Sequence, residues 1–118
     1  CSRNCPGDCF QSGQYEYRRC KSYLTQKKGE LTAEETAIIQ KTPLVFGCDE
    51  CQKCCPYNAR VKETPLPEFH QDRIPRLEKE KLETLTNRQF REAYGDRSFA
   101  WRGKRILLRN LALAAGKK

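Results

Sequence analysis

Cys48-Asp49-Glu50-Cys51-Gln52-Lys53-Cys54-Cys55-Pro56 is the stretch that decides how this chain is read, because it holds the spacing C-x2-C-x3-C-P. That spacing closes the bacterial ferredoxin run C-x2-C-x2-C-x3-C-P, whose last cysteine ligates the other of two clusters. The same tail recurs at Cys1-Ser2-Arg3-Asn4-Cys5-Pro6. Two tails in one chain imply two clusters that share ligands crosswise. The first tail has no cysteine ahead of it, and it reads as a longer run cut at Cys1.

An iron–sulfur cubane needs four thiolates, and a C-x2-C hairpin supplies two while wrapping backbone amides around the inorganic sulfides. Cys48 and Cys51 meet that need. An unbroken second run would place its first ligand at position 45, where Val45 stands. Cys20 is the substitute, delivered across an insertion at residues 21–47. With Cys5 reaching across, Cys5, Cys20, Cys48 and Cys51 make one complete set of metal ligands. Cys1 and Cys55 belong to the other cluster, whose remaining ligands lie outside this sequence. Cys55 is preferred to Cys54 because Pro56 follows it, and Cys9 and Cys54 are left over as rescue ligands, free thiols or a pair, with small buried thiols the favoured reading.

Eight cysteines among 118 residues are also compatible with zinc or with disulfides. Zinc sites commonly use two C-x2-C pairs, whereas this chain has one intact pair, at 48 and 51. The tandem Cys54-Cys55 occurs in secreted disulfide scaffolds. With 37% hydrophobic and 32% charged residues, one domain with a modest core is expected, so something besides apolar burial holds the cysteine half. No apolar run approaches the roughly 18 residues of a membrane-spanning helix. The net charge is +8, and residues 91–118 hold 8 basic against 2 acidic side chains. Such a basic segment is the footprint of a nucleic-acid partner or else a solvated helical face.

The expected fold is mostly α with irregular, metal-organised loops: a two-cluster ferredoxin-like module over 1–60, a proline-rich connector over 61–75, and a basic helical region over 76–118. Residues 1–20 show no helical periodicity and read as loop. Thr32-Ala33-Glu34-Glu35 is a capping box, predicting a helix from Ala33 to about Lys41. Gly47 is expected to let the backbone approach a bulky cluster. Asp49 and Asn58 read as turn residues, and His70 as a surface residue in the connector. Further helices are predicted over Arg76–Leu85, after Thr86 with Gln89 closing a second capping box and Gly95 ending it, and over Phe99–Ala115. In the last of these Trp101, Leu108, Leu111, Ala112 and Ala115 recur at helical spacing as a core stripe, leaving Arg102, Lys104, Arg105 and Arg109 as nucleic-acid-binding candidates.

The runs Arg19-Cys20-Lys21-Ser22-Tyr23-Leu24-Thr25, Phe46-Gly47-Cys48-Asp49-Glu50-Cys51-Gln52 and Cys55-Pro56-Tyr57-Asn58, with the closing Arg109-Asn110-Leu111-Ala112-Leu113-Ala114, resemble the C-terminal half of the epoxyqueuosine reductases. The resemblance runs in order over nearly the whole chain. It implies a cytoplasmic, monomeric, cobalamin-dependent oxidoreductase that reduces the epoxide of epoxyqueuosine in tRNA. Two 4Fe–4S clusters would pass electrons from an external donor to the corrinoid cobalt. An N-terminal domain, absent from this sequence, would carry most of the cobalamin pocket and the proton donor, so the segment alone should not turn over. Tyr23 and Thr25 are then expected to approach the cofactor.

Competing readings are a stand-alone ferredoxin, a fragment of a corrinoid-dependent reductive dehalogenase, and a zinc-stabilised RNA-binding module. A ferredoxin needs no basic helical extension. A small organohalide calls for no basic surface either.

Overall fold

A computed structural model describes residues 2–116 of the chain. The cysteine half opens with a 3-10 turn, Ser2–Asn4, and a hairpin of β1 (Phe10–Gln11) and β2 (Gln14–Tyr15), paired Phe10 to Tyr15. Ser12 and Gly13 at its tip have φ of 51° and 74°, the doubly left-handed geometry of a two-residue hairpin turn. The Ser-Gly pair was the local signal for this hairpin within a segment expected to be loop. A second 3-10 turn, Tyr17–Arg19, delivers Cys20, which caps α1 (Lys21–Gln26).

Helix α2 (Ala33–Ile39) begins at the predicted capping box: Thr32 accepts from the Glu35 amide, and the Glu35 carboxylate accepts from the Thr32 amide. The short α3 (Glu50–Lys53) carries Cys51, and a 3-10 turn at Pro56–Asn58 follows Cys55. Helix α4 (Lys79–Thr84) is shorter than predicted. Its expected first turn stays extended, and Leu77 packs there against the core beside Phe46. Helix α5 (Asn87–Tyr94) starts at the second capping box, Thr86 with Gln89, and ends at Gly95.

The last helix, α6 (Lys104–Ala115), starts five residues later than predicted, because Gly103 takes φ of 86° and breaks the run. Trp101 therefore lies outside the helix and is exposed, as are Ala112 and Ala115. The buried positions of α6 are Ile106, Leu107 and Asn110. The predicted stripe is thus rotated, since its phase was set from Trp101.

Two apolar clusters result, and α6 touches both. Leu24, Ile38 and Ile39 pack with Leu31 and Leu113; Leu82, Phe90 and Leu107 pack with Phe46, Leu77, Phe99 and Leu111. Between them lies Asn110, fully buried, whose Nδ2 donates to the carbonyls of Thr25 (2.9 Å) and Val45 (2.8 Å). Its Oδ1 accepts from the Arg109 guanidinium. No helix among the described residues is long and apolar enough to cross a membrane.

Replacing Asn110 with Ala leaves two carbonyls without their donor inside the protein, a loss of about 3 kcal/mol. Thr32→Ala removes only one helix cap, about 1 kcal/mol. Urea unfolding monitored by circular dichroism should rank the two variants in that order.

Candidate metal centre

The loop at Cys5 is built from backbone. Pro6 and Gly7 are buried, Lys41 Nζ donates to the Pro6 carbonyl (2.7 Å), and Arg19 Nε donates to the Gly7 carbonyl (2.7 Å). Arg19 also pairs with Glu34 on α2. A Cβ added at Gly7 would lie 1.7 Å from the Arg19 carbonyl oxygen and 3.3 Å from Cys9 Sγ. Gly7 is therefore where the first cysteine loop meets the segment leading into Cys20. Gly47, expected to serve a close approach, has open space around it and is needed instead for its φ of 77°.

The Cys9 amide donates to Cys5 Sγ at 3.4 Å. Burial alone would raise the Cys5 thiol, but the Cys9 amide and thiol and the amides of Gly7 and Asp8 outweigh it and hold Cys5 below its ordinary value. Such an amide cradle favours a thiolate and surrounds it as cluster-ligating sulfurs are surrounded. Cys9 is buried, and desolvation with the neighbouring Cys5 and Cys20 pushes its thiol up to about 12. Its burial fits the small buried thiol among the roles expected for it. The Tyr15 hydroxyl faces Cys20, and its proton is held above the usual tyrosine range chiefly by that contact.

Cys48 is buried, which raises its thiol, while the Glu50 amide and the Lys21 ammonium favour its thiolate. Lys21 is itself buried, its Nζ donating to the carbonyls of Ile39 and Thr42 (both 2.8 Å) and to the Thr42 hydroxyl. No pattern in the sequence marks this lysine as interior. It fastens the end of α2 to the residue following Cys20.

Helix α3 packs against the Ser2–Asn4 turn. The three-residue spacers of the two Cys-x3-Cys-Pro tails thus form two helical turns set side by side. Cys1 lies outside the described residues. Cys54, at the C-terminal cap of α3 and half-buried rather than buried as expected, donates its Sγ to the Cys51 carbonyl at 3.5 Å, whereas Cys55 stands at the start of the Pro56–Asn58 turn. Asn58 ties that turn to α3 through the Gln52 carbonyl (3.1 Å) and side chain (2.9 Å), and Asp49 enters α3 in the left-handed region.

All seven described cysteines are free thiols. No three His, Cys, Asp or Glu side chains among the described residues converge on a single ion position, and a cubane takes its thiolates at separate iron corners. The donor set fits such a cluster: soft sulfur ligands, an amide-cradled Cys5, and a buried cation beside Cys48.

Other candidates divide. Thr25 is fully buried, its hydroxyl donating to the Ser22 carbonyl (2.7 Å) and accepting from the Gly47 amide (3.0 Å). Facing the interior, it holds the approach to Cys48 rather than presenting itself to a cofactor. Tyr23 is exposed, its ring edge-to-face with Tyr17. Arg109 spends its guanidinium on the carbonyls of Leu24, Lys27 and Gly29, and Lys104 donates to the Leu85 carbonyl. Those two serve the framework, because helix ends absorb their donors. Of the four basic candidates, Arg105 is exposed and Arg102 is half-buried over Trp101. His70 is exposed, its ring bonded to the Thr64 carbonyl (2.7 Å) and Arg73 (2.9 Å).

Gly7→Ala is expected to push the Cys5 loop off Arg19 and to lower iron retention in the anaerobically purified protein to less than half. Gly13→Ala, at the open hairpin tip, should retain wild-type iron; parallel iron assays check the pair.

A family model described as a 4Fe-4S double cluster binding domain matches residues 1–58. Epoxyqueuosine reductase of Bacillus cereus is 41% identical over 97% of this chain and 30% of its own length, and that of Bacillus subtilis is 39% identical over the same shares. A crystal structure of epoxyqueuosine reductase with a tRNA-TYR epoxyqueuosine-modified tRNA stem loop superposes with a TM-score of 0.80 at 36% identity, over 97% of this chain and 31% of that one. The Streptococcus thermophilus enzyme gives a TM-score of 0.74 at 37% identity, over 95% and 29%. The chain spans about 30% of the length of these relatives. Over nearly its whole length this chain is therefore similar, in sequence and in fold, to a segment of the epoxyqueuosine reductases, and its first half matches the 4Fe-4S double cluster binding domain.

Proposed function

We propose that the chain is the electron-relay part of a cobalamin-dependent epoxyqueuosine reductase acting on tRNA. The observation that carries this reading is the pairing of the two cysteine tails: the Ser2–Asn4 turn lies against α3, and Gly7, two residues after the amide-cradled Cys5, lies against the segment that delivers Cys20. Cys5, Cys20, Cys48 and Cys51 hold one 4Fe–4S cluster. Cys55, with Cys1, contributes to a second. When bound, the clusters supply single electrons for the cobalt of cobalamin, with which the epoxide of epoxyqueuosine is reduced.

The chain's own residues hold this relay in place. Thr25 and Asn110 fix the ends of the 21–47 insertion, so Cys20 and Cys48 keep their separation. Residues 1–60 carry the clusters, 61–75 connect, and 76–118 buttress the insertion through α6. Arg102 and Arg105 are the nucleic-acid contacts, and exposed Tyr23 faces the cofactor or substrate side. In a protein of the relatives' length, the corrinoid pocket and the proton donor belong to another part of the chain. The setting is cytoplasmic, the protein monomeric, and the electrons come from an external donor.

The test is metal and sulfide analysis of the intact native protein, purified without oxygen, alongside turnover of epoxyqueuosine-containing tRNA with cobalamin. Cys20→Ser should remove about four irons and abolish turnover, while Cys54→Ser should keep both. Zinc in place of iron overturns the redox reading. Full iron without turnover on that tRNA overturns the substrate.

A further inference from the structure

Three large rings stand exposed beside the cysteine loops: Tyr17 at 50%, Tyr23 at 42% and Trp101 at 62%. Side-chain contacts join them into one surface. The Tyr17 and Tyr23 rings lie 5.3 Å apart, edge to face. Gln26 sits one turn along α1 from Tyr23, on the same face, and its Oε1 accepts from the Trp101 indole at 3.2 Å. Each end of the row carries a guanidinium over a ring, with Arg18 5.6 Å from the Tyr17 centroid and Arg102 4.1 Å from that of Trp101. Two segments some eighty residues apart therefore converge on one ridge. None of the three rings belongs to either apolar cluster.

We propose that this ridge stacks unpaired bases of an RNA strand, with Arg18 and Arg102 receiving its phosphates. The inference rests on the tRNA reading above and names its contact surface. Aromatic rings interleaved with arginines suit single-stranded nucleic acid, because bases stack on the open faces while phosphates meet the adjoining cations. An apolar protein partner would have to desolvate the exposed Arg18 guanidinium, and a duplex keeps its bases inside the stack. The carboxylate of neighbouring Glu16 accepts from the Arg18 amide at 3.1 Å as the cap of the Tyr17–Arg19 turn, which leaves the guanidinium over the ring. That same turn leads straight into Cys20, so a strand lying on the ridge is brought up against the cluster-bearing loop.

The test uses the intact native protein, purified without oxygen and compared at equal iron content. Fluorescence anisotropy over a range of salt follows binding of a labelled anticodon stem-loop and of a blunt RNA duplex of equal length. Trp101→Ala and Tyr17→Ala should each weaken stem-loop binding about tenfold and leave duplex binding unchanged, and Trp101→Phe should restore most of the loss. Arg18→Ala and Arg102→Ala should each reduce the salt slope by about 1. Alanine variants that bind the stem-loop like wild type overturn the ridge and leave the tRNA reading standing. Wild-type protein that binds neither RNA overturns the tRNA reading itself. Equal losses on stem-loop and duplex overturn base stacking, and loss of corrinoid in Tyr23→Ala assigns the surface to the cofactor instead.

Discussion

The side-chain amide of Asn110 is the contact on which the arrangement of cysteines depends. It closes the two ends of a long insertion, with one hydrogen bond to the helix that follows Cys20 and another to the segment that precedes Cys48. Thr25 adds a third tie, from its hydroxyl to the Gly47 amide. Buried carbonyls without donors are costly, so these bonds make the spacing of Cys20 and Cys48 a property of the folded core. Arg109 supports the same junction by filling the carbonyls at the end of α1. Helix α6 thus acts at a distance on cysteines it does not carry.

The two halves are stabilised by different physics. In the C-terminal half Leu82, Phe90 and Leu107 bury apolar area in the usual way. Around the cysteines that material is scarce, and cations close the loops: Arg19 on the Gly7 carbonyl, Lys41 on that of Pro6, Lys21 on those of Ile39 and Thr42. Charged donors form stronger hydrogen bonds than neutral ones. They also gather positive charge about the cysteine loops.

Features that obey local rules were legible in the sequence. Both capping boxes start the helices they predicted, and the two Cys-x3-Cys-Pro tails meet as helical turns. Features set by long-range contact were not. The start of α6 hinged on one left-handed glycine, which removed Trp101 from the core stripe. Arg109 looked like a surface cation because nothing local shows that carbonyls 80 or more residues away await it. Lys21 carries no sign of burial, and nothing around Gly7 in the sequence shows that the structure needs a missing Cβ there. In each case the partner lay far along the chain, beyond the reach of periodicity.

Crosswise sharing of ligands between the two tails is the central claim. A crystal structure of the cluster-loaded native protein, with iron located by anomalous scattering, tests it most directly. The expected result is an iron–sulfur cubane bonded to Cys5, Cys20, Cys48 and Cys51, with Cys9 and Cys54 unligated. A cubane bonded to Cys54 or Cys9 in place of one of these, or a single zinc ion among them, would contradict it.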